Sequence, residues 1–83
     1  MQQLVTVEVR SGRAIVRGAS GSTLLRHALP DDLGFDNARE LGILARRALE
    51  PERRSWACRD LGCMSLPGTR EVRVFLFEPK AAS

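Results

Sequence analysis

With 83 residues, 43% hydrophobic and 28% charged, the chain has the balance of one small folded domain and not that of a disordered segment. A net charge of +3 excludes a polycation, and no apolar run approaches the roughly 18 residues of a membrane-spanning helix. Lys80 is the only lysine among 13 basic residues. Such an arginine excess commonly follows from a G+C-rich coding sequence, so by itself it does not point to nucleic acid. Ten acidic residues are interspersed and no basic run exceeds two residues, which describes a weakly basic surface. Met1–Glu8 has neither the basic nor the apolar region of a secretory signal, so the cytoplasm is the expected compartment. There Cys58 and Cys63 are expected to remain reduced thiols.

Residues 3–10 alternate, with Val5, Val7 and Val9 on one side and Thr6, Glu8 and Arg10 on the other, the pattern of a half-buried strand. Ser11-Gly12 is a two-residue turn, and residues 13–17 read as the returning strand of a hairpin, with Arg10 facing Arg13 across its mouth. Residues 18–23 form a loop by composition. Residues 24–29 carry apolar side chains at helical spacing and end at Pro30, which predicts a short helix of about two turns. Residues 30–34 read as a turn into the main helix.

The longest periodic stretch is 35–50. Phe35, Ala38, Leu41, Leu44, Ala45, Ala48 and Leu49 share one half of a helical wheel, and Arg39, Glu40, Arg46, Arg47 and Glu50 the other. Asp36 or Asn37 can cap it, Asn37 with Glu40 resembles a capping box, and Pro51 stops it. Ile43 lies within the polar half, ringed by arginines. Residues 52–62 fit either a strand centred on Trp56-Ala57-Cys58 or a second helix opened by Pro51 and closed by Gly62; the alternation favours the strand. Residues 66–69 form a tight turn with Pro67 and Gly68 central. Residues 71–78 are the strongest strand, apolar on both faces, which suggests a central or doubly covered position. Val5, Val7 and Val9 together with Val72, Val74 and Leu76 are expected to supply the sheet face under the main helix.

The order β-β-α-α-(β)-β predicts an α+β fold. A small antiparallel sheet, made of the N-terminal hairpin and C-terminal strands, packs against one main and one short helix. Residues 1–78 form a single domain and 79–83 a flexible tail.

No catalytic constellation emerges. The glycine-rich loop at 18–23 follows a strand and precedes the expected short helix, the setting of a phosphate loop, but it lacks the Walker lysine and the dinucleotide fingerprint. Cys58 and Cys63 are two thiols without further nearby ligands, and their spacing is not that of a thioredoxin-like pair. His27 is alone, and Asp31-Asp32 sits at a turn. The expectation is a non-enzyme without metal or other cofactor. Its predicted role is that of a small binding or regulatory module acting by protein–protein contact as a homodimer, an exposed edge of the 3–17 hairpin being one place for such pairing. The candidate binding residues are Arg39, Ile43, Arg46, Arg47, Arg53 and Arg54. The same arginines support an alternative, a nucleic-acid-binding protein. A third reading, a metal-dependent structural module, requires two copies to pool their cysteines. No membrane association is expected.

Overall fold

Alternating apolar residues and tight turns produce a five-stranded antiparallel sheet in the computed structural model, which describes residues 2–29, 37–67 and 70–80. The strands are β1 (Gln3–Arg10), β2 (Arg13–Gly18), β3 (Thr23–Ala28), β4 (Ala57–Leu66) and β5 (Arg70–Glu78). One helix, α1 (Ala38–Arg47), stands between β3 and β4, followed by a 3₁₀ turn at Pro51–Arg53. Across the sheet the order is β3-β2-β1-β5-β4, so the N-terminal hairpin and the C-terminal hairpin meet through β1 and β5. This is the expected α+β class with both hairpins in one antiparallel sheet.

The first turn is as the sequence predicts. Ser11 and Gly12 have φ of 51° and 74°, the positive values a two-residue hairpin turn needs, and Arg10 pairs with Arg13. The core lies between α1 and one sheet face. Val5, Val7, Ala14, Val16, Phe75 and Phe77 point up from the sheet, and Leu41, Leu44, Ala45 and Leu49 point down on them. Asn37 caps the helix by accepting from the Glu40 amide at 3.3 Å. Gly42 sits against the Phe75 ring, close enough that a methyl group there would lie 3.4 Å from the ring edge.

Four expectations need correction. Residues 24–29 are strand β3 and not a helix. A six-residue segment cannot sustain a helix alone, whereas β2 offers it a ladder, on which Leu25 and His27 alternate with Arg26 and Leu24 is the extra residue of a register shift. The face under α1 takes Phe75 and Phe77 from β5, because Val5 pairs with Phe75 and Gln3 with Phe77; Val72, Val74 and Leu76 project from the other face. Both strands of the 3–17 hairpin are interior, and the sheet's edges are β3 and β4. The main helix stops at Arg47, with Ala48 as its cap, short of the expected Glu50. Its expected start at Phe35 and the turn at 30–34 lie outside the described residues, as do Gly68 and Thr69 of the 66–69 turn and residues 81–83 of the tail. The ambiguous 52–62 stretch divides between the 3₁₀ turn and β4, so the strand preference holds from Ala57 onward.

Candidate protein-contact surface

One helix cannot cover both faces of a five-stranded sheet. Among the described residues no helix lies on the face opposite α1, where Leu4, Leu61 and Met64 are exposed while Val72, Val74 and Glu8 are buried, and its composition follows from strand parity. β1 contributes Leu4, Thr6, Glu8 and Arg10; β5 contributes Val72, Val74 and Leu76 at paired positions. β2 adds Arg13, Ile15 and Arg17, and β3 adds Arg26. β4 adds Arg59, Leu61, Met64 and Leu66. Leu61 and Met64 are each half exposed and Leu4 is 41% exposed, an unusual density of apolar surface for strands that water would otherwise wet.

The patch is concave. Leu4, Thr6, Gly18, Ala19, Leu61, Met64 and Val74 line a depression of about 400 Å³. It runs into a neighbouring depression of about 380 Å³ that shares Leu4, Ala19 and Leu61 and reaches Leu76. The β2–β3 loop forms one wall. That loop is the glycine-rich segment, and it joins strand to strand, with the Gly21 amide donating to the Gly18 carbonyl at 3.0 Å and the Gly18 amide to the Ser22 carbonyl at 3.0 Å. The strand-to-helix setting of a phosphate loop is therefore absent here. The opposite wall is a bulge in β4, where the register slips between Asp60 and Gly62 and Gly62 takes φ of 90°.

Charges ring the apolar centre. Glu8 is 3% exposed, and Arg17 donates to it at 2.7 Å while Arg10 stands at 3.1 Å. Arg59 lies 3.4 Å from Glu78 at the other end.

The residues nominated from the sequence fall on the helix side. Arg39, Ile43 and Arg47 are exposed on α1. The other three arginines are committed to the chain's own carbonyls and side chains. Arg46 donates to the Trp56 carbonyl at 2.6 Å and to the Arg54 carbonyl, with its guanidinium 5.4 Å from the Phe77 ring centre. Arg53 donates to the Gln3 side chain at 2.6 Å and lies 5.7 Å from the Trp56 ring centre. Arg54 donates to the Leu49 carbonyl at 3.0 Å. These three close the turn that leads from α1 into β4 and are not gathered into one free cationic surface with Arg39 and Arg47. Ile43 lies at the lip of a cleft of about 320 Å³ between α1 and β4, shared with Arg39, Gly42, Arg46, Cys58, Asp60 and Phe75.

The β4 bulge also decides where the cysteines point. Five positions apart on a regular strand, Cys58 and Cys63 would face opposite ways; the extra residue puts both, with Asp60, on the helix side. Both are free. Burial pushes the Cys58 thiol up, and nearby Arg46 opposes that shift. Arg73 holds Asp60 with bonds of 2.8 and 3.1 Å and reaches the Cys63 sulfur at 3.4 Å. That arginine, assisted by the Gly62 amide, keeps the Asp60 carboxyl below the usual aspartate range, against a smaller desolvation effect. Among the described residues no three of His, Cys, Asp and Glu converge as metal ligands. His27 places Nδ1 2.6 Å from the Ala28 carbonyl, a local bond on edge strand β3. No described helix is long and apolar enough to cross a membrane.

The open face is the surface that sequence reasoning missed. Its signal is the second apolar face of 71–78, whose expected central or doubly covered position agrees with β5 lying inside the sheet and with the burial of Val72 and Val74; Met64 and Leu66 join that face only once β4 is known to be a strand. Compared with family models, curated proteins and solved structures, the chain has no significant match.

Proposed function

We propose that the protein is a small non-enzymatic binding or regulatory module that works by protein–protein contact, and that the open sheet face makes the contact. The observation that carries this reading is the concave apolar patch on the face opposite α1, where Leu4, Leu61 and Met64 are exposed around buried Val74 and part-buried Leu76. An apolar surface of this kind is costly in water and gains free energy when a partner covers it, at roughly 25 cal/mol per Å² of apolar area buried. A second copy of the chain, giving the homodimer suggested by the sequence, and a different protein are both partners of this type.

The nucleic-acid alternative has less support. Arg46, Arg53 and Arg54 are engaged internally, and Phe75, Phe77 and Trp56 lie on the helix side of the sheet, so no described aromatic offers a stacking platform on the open face. The deciding experiment compares the wild type with Leu61→Glu and Met64→Glu, using Ile43→Asp on the opposite side as control. Thermal melts of all three variants stay near that of the wild type, because each site is about half exposed. Sedimentation and pull-down show self-association or partner capture lost in the two sheet-face variants and kept in Ile43→Asp. Loss only in Ile43→Asp transfers the contact to α1. Binding to DNA or RNA that weakens by about 0.9 log units per neutralised phosphate for each log unit of salt establishes the nucleic-acid reading instead.

A further inference from the structure

The backbone of the open face restricts what can lie on it. β2, β1 and β5 are paired on both sides, so their amides and carbonyls are spent within the sheet. An extended segment laid across them would find no ladder to join and would bury its own backbone groups unsatisfied. A helix brings its hydrogen bonds with it, which is how α1 covers the opposite face. The face that holds the groove is long enough for a short helix. The depressions occupy the Leu4–Thr6 part of β1, and the whole face from Leu4 to Arg10 runs about 20 Å at roughly 3.3 Å per residue, the length of a helix of about 13 residues.

Charge selects the kind of helix. The described residues of this face carry five arginines, Arg10, Arg13, Arg17, Arg26 and Arg59, against two carboxylates, Glu8 and Glu78. The carboxylates are matched by Arg10, Arg17 and Arg59. Arg13 and Arg26 lie beside them at the hairpin end, where Arg13 pairs with Arg10 across the turn and Arg26 with Ile15. The surplus is positive and lies at one end of the apolar groove.

A second copy answers this surface poorly. It has the same surplus on its own open face, and among the described residues its only helix already buries Leu41, Leu44 and Ala45 in its own core. Resting on the protein-contact reading above, we propose that the open face receives an amphipathic helix of another protein, about three to four turns long. The apolar stripe of that helix fills the groove of Leu4, Leu61 and Met64, and acidic residues toward one of its ends meet Arg10, Arg13 and Arg26.

The test is a selection of random 14-residue peptides displayed on phage against the folded full-length chain, followed by synthesis of the enriched sequences. The enriched peptides share apolar positions at i, i+3, i+4 and i+7 with an acidic excess, and they gain helical circular dichroism on binding. Leu61→Glu and Met64→Glu each weaken them by at least about tenfold, and Arg13→Glu combined with Arg26→Glu by a similar factor that shrinks at high salt. Peptides that need Leu61 but show no acidic bias, or that bind extended along the β3 or β4 edge, overturn the inference and leave the protein-contact reading standing. So does a wild-type dimer that Leu61→Glu converts to monomer, since a second copy then covers the face. Leu61-dependent binding to phosphatidylserine vesicles with no peptide enriched assigns the face to a lipid surface and overturns both. Absence of any enriched peptide, dimer or vesicle binding that depends on Leu61 also overturns both.

Discussion

Glu8 shows how one side chain can be read correctly for position and wrongly for environment. Strand alternation places it on the side away from Val7, and that is where it lies. It is nevertheless almost fully buried, with Arg17 of the next strand at 2.7 Å and Arg10 of its own strand at 3.1 Å. Removing its charge leaves two guanidinium groups facing each other. Glu8→Gln is expected to destabilise the fold by about 1–3 kcal/mol, read as a lower urea midpoint with an unchanged slope. Asp60 gives a pH-dependent counterpart. Its carboxyl is held below the usual aspartate range, chiefly by the bonds from Arg73. The unfolded chain therefore takes up this proton first as pH falls. The stabilisation is fully present above the unfolded aspartate range and is lost on descending through that range to the lower folded value. About a third of the Asp60 side chain is exposed, so solvent screens the pair. Asp60→Asn is expected to flatten the acid limb of a melting-temperature profile below about pH 4 and to leave its shape at neutral pH unchanged.

At the scale of elements, α1 and β3 mark the limits of periodicity. The stripe of Leu41, Leu44 and Ala45 and the cap at Asn37 specify a helix by themselves, and it forms over Ala38–Arg47, ending short of the expected Glu50. Gly42 lies on that stripe because it rests on the Phe75 ring, where a methyl group would still make an ordinary 3.4 Å contact. Gly42→Ala is thus expected to raise stability by roughly 0.5–1 kcal/mol through helix propensity, and a bulkier Gly42→Leu to lower it; thermal denaturation distinguishes them. β3 was not legible. Its six residues fit a helical wheel as well as an alternation, and only the ladder offered by β2 selects the strand. Arg46 in α1 and Arg53 and Arg54 beyond it are engaged within the chain for a related reason. Sequence shows that Arg46, Arg53 and Arg54 are charged and close together. It does not show that the turn into β4 leaves the Leu49, Arg54 and Trp56 carbonyls in need of donors, which Arg46 and Arg54 supply while Arg53 binds Gln3.

For the whole molecule, the informative quantity is what the fold leaves uncovered. The class was legible because two hairpins and one strong helix permit few arrangements. The order β3-β2-β1-β5-β4 was not, since it depends on β1 choosing β5 as its second neighbour. From that choice follows a sheet too wide for one helix to cover on more than one side, and hence the proposed contact surface. The expected separation of effects, with Leu61→Glu and Met64→Glu abolishing association while Ile43→Asp preserves it, therefore tests a consequence of topology more than of any local motif.

The bulge at Leu61-Gly62 also bears on solubility. β4 is a ten-residue edge with most of its side chains exposed, the kind of border onto which further chains add as strands. A break in its middle, with Gly62 in a left-handed conformation, interrupts the row of free backbone groups before it is long enough to template growth. Deleting Leu61 removes the extra residue, leaves Cys63 and Asp60 on their original side, and straightens the edge. The deletion variant is expected to form thioflavin-positive fibrils at concentrations where the wild type stays clear by light scattering, which would make this single additional residue a guard against open-ended polymerisation.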